Sequence, residues 1–218
     1  MDEADQELRP LAFGWYGKLP ARGDFVGRGL PRAWVRQWDA WLQRATTEAA
    51  AALGAAVLRR RLAALASCQC LVLPQRSGDP AWCGALVGST DRVGRVFPLL
   101  VAESFAWPAL GAVDLGELRR RSCALADWLG TARQLDPKEL EAGAAPFAEA
   151  PLRRPGPDDT RPGMDVHGLC MSQPGAGSFW WQGAASNEPQ AQSWPPSDSW
   201  LRQLVGRDDA PRHGGDGS

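Results

Sequence analysis

Tryptophan spacing in one segment restricts the fold of this chain more than any other feature. After Pro31, apolar residues recur every three or four positions and form a single stripe: Trp34, Trp38, Trp41, Leu42, Ala45, Ala49 and Leu53. This period predicts an amphipathic helix, with Pro31 favoured in its first turn and Gly54 at its end. Such a wide aromatic stripe indicates that the helix packs on a sheet. An exposed face that binds a partner is the alternative.

Short apolar runs bounded by turn residues predict the strands, at 13–17, 24–26, 68–73, 82–87, 96–103 and 178–181. The runs between 68 and 103 are joined by loops rich in turn residues, which favours an antiparallel meander. Further helices are predicted over 115–129 and from Asp136-Pro137. Strands and helices do not alternate regularly, which disfavours a Rossmann-type sheet. The predicted fold class is therefore α/β: an antiparallel-rich mixed sheet with helices packed on both faces, forming a three-layer sandwich.

Length and composition indicate how the 218 residues are divided. One α/β domain is expected over 11–206, since a chain of this length can bury a substantial core. The acidic start predicts a disordered arm over 1–10, and the Gly-rich end predicts a disordered tail over 207–218. Proline and glycine become more frequent after residue 137, which indicates an exposed loop excursion over 146–164.

Charge and hydropathy argue against several classes of protein. The formal net charge is −1, whereas nucleic-acid and membrane-surface binders usually carry a basic excess. No apolar run is long enough to span a membrane, and the acidic N-terminus does not resemble a secretory signal. The five cysteines are scattered without a C-x-x-C pair. We therefore expect reduced thiols in a cytoplasmic protein with no nucleic-acid partner and no membrane insertion.

Residues for metal binding or nucleophilic catalysis are scarce. Cys68 and Cys70 would share one strand face, but no second ligand pair stands at zinc spacing. His167 is the one histidine outside the Gly-rich tail, and it fits a loop or strand end better than a catalytic triad. No metal, cofactor or catalytic residue set is therefore expected.

A charged turn is the segment with the clearest chemical potential. Asp91, Arg92 and Arg95 lie between two predicted strands, among glycines that allow a close backbone approach. The two guanidinium groups could form a fork for a carboxylate or phosphate. Alternatively, Asp91 could form an internal salt bridge that fixes a sharp connection. An acid/base site built from Asp24 and Asp91 is also conceivable, although no sequence pattern brings them together.

Several motifs together resemble the TagF/ImpM family of type VI secretion-associated proteins. The resemblance covers residues 13–183 and rests on Trp15-Tyr16-Gly17-Lys18-Leu19-Pro20-Ala21-Arg22-Gly23-Asp24-Phe25, Trp38-Asp39-x-Trp41-Leu42-Gln43, Asp91-Arg92-Val93-Gly94-Arg95-Val96-Phe97-Pro98-Leu99, and Trp180-Trp181 followed by Gly183. The chain departs from the family pattern at 88–90 and at 58–66. The motif residues assigned a structural role are Gly17, Pro20, Gly23, Trp38, Asp39, Trp41, Gly94, Phe97, Pro98, Trp180 and Trp181.

The resemblance implies a non-enzymatic, cytoplasmic bacterial accessory protein. Family members look like negative post-translational regulators of type VI secretion that engage the forkhead-associated scaffold protein. We expect docking through the 18–25 loop and the 91–95 turn, which supply charged contacts and an apolar anchor. The predicted partner-binding residues are Lys18, Arg22, Asp24, Phe25, Asp91, Arg92 and Arg95.

Two other functions remain open for the same residues. Asp24, Asp91, Arg92 and Arg95 could form a phosphate or carboxylate site, either for binding or for an enzymatic reaction. Alternatively, the motifs could be purely structural, with aspartate and arginine side chains tying turns together. In that case alanine substitutions would lower stability because they leave buried charge unpaired.

Overall fold

The structure is a computed structural model and describes residues 7–65, 67–153, 163–182 and 188–206. The strands in these ranges are β1 (Glu7–Leu8), β2 (Ala12–Gly17), β3 (Val26–Arg28), β4 (Cys68–Val72), β5 (Ala81–Val87), β6 (Leu99–Phe105), β7 (Leu152–Arg153), β8 (Ser178–Trp181) and β9 (Gln190–Gln192). The helices are α1 (Arg32–Leu53), α2 (Ala55–Ala64), α3 (Trp107–Gly111), α4 (Leu115–Ala132), α5 (Pro137–Glu149), α6 (Val166–Ser172) and α7 (Trp200–Gly206).

A seven-stranded sheet organises the fold, in the order β3-β2-β6-β5-β4-β8-β9. The predicted meander is confirmed: β4 pairs with β5 and β5 with β6, both antiparallel. Every ladder among the described strands is antiparallel, so the expected mixed sheet has no parallel pair in these ranges. The predicted α/β class is confirmed.

Helices cover both faces of this sheet. One face packs against α1, α2 and α7, with Cys70, Leu100 and Trp180 among its contributing residues. The opposite face packs against α3 and α6 at one end and against α4 and α5 at the other. Side chains alternate between faces along a strand, which places Trp180 in the first core and the adjacent Trp181 in the second.

The long helix α1 follows the tryptophan stripe. Trp34, Trp38 and Trp41 are all buried, and the Trp38 ring lies 5.8 Å from the Trp180 ring on the sheet. The predicted packing of the stripe on a sheet is confirmed, so these indoles do not form an exposed partner-binding face. The helix ends before Gly54, whose φ of +82° favours glycine.

Local sequence signals also set the starts of α4 and α5. The Asp114 carboxylate accepts a hydrogen bond from the Glu117 amide at 3.0 Å. Asp136 and Glu139 form a reciprocal capping box at the start of α5, with Pro137 in the first turn. These aspartates satisfy amide groups that have no partner within the helix.

The structure differs from two expectations: a disordered arm over 1–10 and an exposed loop excursion over 146–164. Within the expected arm, residues 1–6 lie outside the described residues, but β1 pairs with β7 and Leu8 is buried in the core. Within the expected 146–164 excursion, 146–149 belong to α5 and Leu152 is buried, whereas 154–162 lie outside the described residues. Burial of Leu8 against this segment stabilises both short strands. The 207–218 tail also lies outside the described residues.

The strand expected at 24–26 begins later. Asp24 and Phe25 belong to the preceding loop, and β3 covers Val26–Arg28. The strand β9 forms the other edge of the sheet, in a stretch where no strand was predicted. No helix in the described ranges combines the length and apolar character needed to cross a membrane.

Candidate functional site

Two loops meet at one end of the sheet and bring the charged motifs together. The first loop joins β2 to β3, and the second joins β5 to β6. The Lys18 ammonium lies 3.0 Å from the Asp91 carboxylate, and their side chains are 9% and 0% exposed. We call Lys18, Asp91 and Arg95 the charged hub.

Asp91 is the centre of the charged hub. One carboxylate oxygen accepts hydrogen bonds from the backbone amides of Val93 and Arg95, and the other accepts from Lys18 Nζ and Arg95 Nε. Burial opposes ionisation, but these hydrogen bonds outweigh it and hold the pKa of Asp91 well below the usual aspartate range. A carboxylate held this way is a poor general base, so it does not support the acid/base alternative.

Backbone contacts lock the two loops to each other. The Arg92 amide donates to the Arg22 carbonyl at 2.8 Å, and the Ser89 hydroxyl donates to the Lys18 carbonyl at 2.7 Å. Arg95 Nη2 also donates to the Gly23 carbonyl at 2.6 Å. The expected internal salt bridge at Asp91 is thus present, and it fixes the first loop as well as the second.

Aromatic rings sit beside this hub. The Phe25 ring stacks on Tyr16, with ring centres 5.5 Å apart, and meets Phe97 edge-on at 4.8 Å. Lys18 Nζ lies 5.1 Å from the centre of the Phe25 ring. Phe25 is nevertheless 39% exposed, so part of its apolar surface is available to a partner.

Tyr16 connects the site to α1. Its hydroxyl donates to the Asp39 carboxylate at 3.0 Å. Burial and this hydrogen bond both raise the pKa of Tyr16 above its ordinary value. The Asp39 of the second motif thus has a positioning role that spacing alone did not indicate.

The predicted partner-binding residues divide into exposed and buried sets. Lys18 and Asp91 are buried, which corrects their placement on a contact surface: mutual pairing compensates their removal from water. The exposed members are Arg22, Asp24, Phe25, Arg92 and Arg95. Val93, which sequence reasoning did not single out, is 67% exposed. We call Arg22, Asp24, Phe25, Arg92 and Val93 the docking face.

The structural motif residues shape the backbone near the two loops or pack in the core. Gly17 has a φ of +152°, and a Cβ there would lie 2.5 Å from the Pro98 carbonyl oxygen. Gly94 has a φ of +79° in the charged turn. Phe97 and Pro98 are buried and Pro20 is partly buried, and the Phe97 ring contacts the exposed Phe25 of the docking face. The buried Trp41 packs in the core, together with Trp38 and Trp180.

Arg133 and the Glu103–Arg121 pair are charged groups that sequence reasoning did not identify. Arg133 donates to the Gly88 carbonyl at 2.8 Å and so ties α4 to the second loop. Glu103 is fully buried in β6 and pairs with Arg121 of α4 at 2.8 Å. Apart from Glu103 and Ser104, β6 is apolar, a pattern that could have indicated a buried ion pair.

Within the described ranges, no group of three or more His, Cys, Asp or Glu side chains is arranged to hold a metal ion. The Asp24 carboxylate accepts from the Phe25 amide at 2.8 Å on the exposed loop. Asp91 is fully engaged within the charged hub. The contacts of Asp91 therefore hold the two loops together, and Asp24 and Asp91 do not form one reactive site.

Comparison with known sequences assigns the family. The sequence profile described as the TagF N-terminal domain, type VI secretion system-associated, matches residues 14–146. The chain belongs to this TagF family. The match includes both loops of the site and the long helix α1. Its description states an association with a secretion system and names no reaction. The search of curated proteins gave no match.

A solved structure shares the fold. The chain is similar to PA0076 from Pseudomonas aeruginosa PAO1, whose crystal structure was determined at 2.05 Å resolution. The two are 29% identical with a TM-score of 0.67, and the comparison covers 88% of this chain and 93% of the other. This chain is therefore a type VI secretion-associated protein of the TagF family.

Proposed function

We propose that this protein is a cytoplasmic negative regulator of type VI secretion that binds the forkhead-associated scaffold protein through the docking face. Binding would sequester the scaffold and block its assembly on the membrane-bound apparatus. The family assignment supports the connection with secretion. The proposal rests on one observation: the exposed apolar and cationic side chains of the docking face lie on two loops that the charged hub holds in place.

The composition of the docking face suits protein recognition. Phe25 offers an aromatic anchor and Val93 an apolar contact, and both are exposed. Arg22 and Arg92 flank them, and neither forms an ion pair within the described ranges. Aromatic and arginine side chains contribute disproportionately to interface affinity. Because the charged hub already fixes both loops, little conformational entropy is lost when a partner binds.

Arg92 and Arg95 have different parts in this arrangement. The Arg92 guanidinium is exposed, and only the backbone amide of that residue joins the loops. The Arg95 guanidinium contacts Asp91 and the Gly23 carbonyl. An Arg92→Ala variant therefore tests binding, whereas Arg95→Ala also disturbs the loop structure. The two should be examined separately.

Titration calorimetry tests the proposal. The purified protein is titrated with the forkhead-associated protein encoded in the same secretion cluster. Arg92→Ala and Phe25→Ala are compared with Arg76→Ala, a matched exposed arginine at the opposite end of β5. We expect binding in the wild type, at least about tenfold weaker binding in the first two variants, and no change in the third.

A secretion assay tests the sign of regulation. Deleting the gene that encodes the protein should raise effector release, and overproducing the protein should lower effector release. Overproduced Arg92→Ala should fail to lower release if it reaches the same cellular level as the wild type. Absence of scaffold binding, or equal affinity in Arg92→Ala, Phe25→Ala and Arg76→Ala, would overturn the proposed surface.

A further inference from the structure

The strand β3 forms one edge of the seven-stranded sheet. It pairs with β2 on one side, and no described strand pairs with its other side. Gly27 and Arg28 are exposed, and Val26 is partly exposed. Such an edge presents unpaired backbone donors and acceptors, which an extended peptide can complete.

A groove lies on each face of this edge. The first, of about 490 Å³, runs between β3 and the start of α1; we call it the α1-side groove. The second, of about 540 Å³, runs between β3 and the start of α5; we call it the α5-side groove. A strand added to β3 would direct its side chains alternately into these two grooves.

The α1-side groove is basic. Arg28, Arg32 and Arg36 line it, and its lining contains no carboxylate. Arg32 and Arg36 stand one helical turn apart, so they share a face of α1, and neither forms an ion pair in the described part of the chain. The nearby Asp39 carboxylate already accepts hydrogen bonds from Tyr16 and Gln43. The groove therefore presents two guanidinium groups, those of Arg32 and Arg36, without a direct ion pair in the described part of the chain, whereas Arg28 pairs with Glu141 of α5.

The α5-side groove has a different character. Its charges are mixed: Arg22, Lys138 and Asp24 line it, while Arg28 pairs with Glu141 at 2.6 Å. The Trp15 and Val26 side chains contribute apolar surface. This side suits apolar or small polar residues better than a row of carboxylates.

From these features we infer that the β3 edge binds an extended acidic segment of a partner protein by strand addition. Acidic side chains at every second position enter the α1-side groove, and the intervening apolar side chains enter the α5-side groove. The inference rests on the proposed protein-binding function and extends its surface from the docking face onto the sheet edge, since Arg22 and Phe25 border both.

The same charges disfavour a second copy of this chain as the occupant. Edge-to-edge pairing of two β3 strands about a twofold axis would bring each set of arginines near the other set. Like charges on adjoining strands destabilise such a pairing, and natural sheets use charged edges to prevent it. An acidic partner strand has the complementary charge.

Fluorescence anisotropy with a defined probe tests the inference without requiring the scaffold. The probe is a labelled, end-blocked peptide of alternating glutamate and valine, long enough to span β3 and its flanking residues. Its control replaces each glutamate with lysine. We expect saturable binding of the acidic probe alone, weakened about tenfold or more in Arg32→Glu/Arg36→Glu. The matched charge control is Arg59→Glu/Arg60→Glu on α2, which should bind as the wild type does.

Amide hydrogen exchange identifies the mode of binding. Strand addition should slow exchange in Val26–Arg28 when the acidic probe is bound, with little change at the other edge strand, β9. No binding, equal weakening in both arginine pairs, or binding without protection of β3 would overturn the inference. Scaffold binding that survives Arg32→Glu/Arg36→Glu would leave the proposed function standing while excluding this edge from it. If the probe binds but the scaffold does not, the sheet-edge inference stands and only the choice of the scaffold as partner is rejected.

Discussion

Lys18 and Asp91 form a buried ion pair across 73 positions of sequence, with 3.0 Å between ammonium and carboxylate. The pair joins the loop after β2 to the loop after β5. These strands are not neighbours in the sheet, because β6 lies between them. The ion pair therefore fixes the position of the docking face relative to the sheet, and the exposed residues can vary without loss of the support beneath them.

Lys18→Met should destabilise the protein. Removing the ammonium leaves the Asp91 carboxylate with one partner fewer in a site closed to water, which is costlier than loss of a surface ion pair. Thermal unfolding should show a fall in Tm of several degrees. Lys138→Met is a matched control, since Lys138 is exposed on α5, and it should leave Tm nearly unchanged. Equal Tm values for the two variants would show that the buried pair does not stabilise the loops.

The low pKa of Asp91 predicts how stability depends on pH. The unfolded aspartate titrates near its ordinary value of about 3.9, whereas hydrogen bonds hold the folded pKa well below that value despite burial. The ionised group thus stabilises the fold fully above the unfolded pKa. This contribution declines as pH falls below about 4 toward the folded pKa.

Chemical unfolding of the wild type and Asp91→Asn, from neutral pH to below about pH 4, isolates the contribution of the Asp91 charge to stability. The stability difference between them should be constant near neutral pH and should narrow below about pH 4. Asp24→Asn provides the control, since Asp24 is exposed. A difference between wild type and Asp91→Asn that did not change with acidification would contradict the assigned role of the Asp91 charge.

Local patterns in the sequence were sufficient to predict much of the fold. The tryptophan stripe predicted α1, and Asp136-Pro137 predicted the start of α5, because both signals act within a few residues. The short strands β1 and β7 contain two residues each, too few to show a period. Their existence depends on the burial of Leu8 and Leu152 against the core, which is a tertiary effect.

The candidate site was predicted as a set of residues but not as an arrangement. Sequence reasoning brought the two loops together through a family resemblance and placed Lys18 on their outer surface, where lysine usually lies. Its burial depends on a partner carboxylate that only the folded sheet brings within reach. The different roles of Arg92 and Arg95 could not be predicted from the sequence either, since both residues follow Asp91 in the same turn.

The Glu103–Arg121 pair should show the cost of an isolated buried charge. Arg121 contacts both Glu103 oxygens, and it also donates to the Phe147 carbonyl. Burial raises the pKa of Glu103, while Arg121 acts to lower it. Arg121→Met should reduce the free energy of unfolding by about 3–5 kcal/mol. Denaturant unfolding should show that the apolar double variant Glu103→Met/Arg121→Met recovers a large part of this loss. If the double variant is less stable than Arg121→Met, the ion pair interpretation is wrong.

Trp38 should contribute strongly to core stability. Its buried ring contacts Trp34, Trp41, Trp180 and Trp194. Trp38→Ala should lower the free energy of unfolding by about 3–5 kcal/mol, because it removes a large side chain from a packed interior. Trp38→Phe preserves an aromatic ring and should cost clearly less. Equilibrium unfolding in denaturant measures both, and similar losses for the two would argue against cavity formation as the cause.

Arg92→Ala and Arg95→Ala should separate binding from stability. The Arg92 guanidinium is exposed and has no ion pair in the described ranges, so its removal should leave Tm nearly unchanged. The Arg95 guanidinium bonds to Asp91 at 2.6 Å and to the Gly23 carbonyl at 2.6 Å. Its removal should therefore lower Tm and speed amide exchange in both loops. Arg95→Lys should recover little of the lost Tm, because an ammonium cannot reproduce the two directed contacts of a guanidinium.

Thermal unfolding and hydrogen exchange on the free protein measure these effects without any partner. A larger fall in Tm for Arg92→Ala than for Arg95→Ala would show that the support of the docking face has been assigned to the wrong arginine.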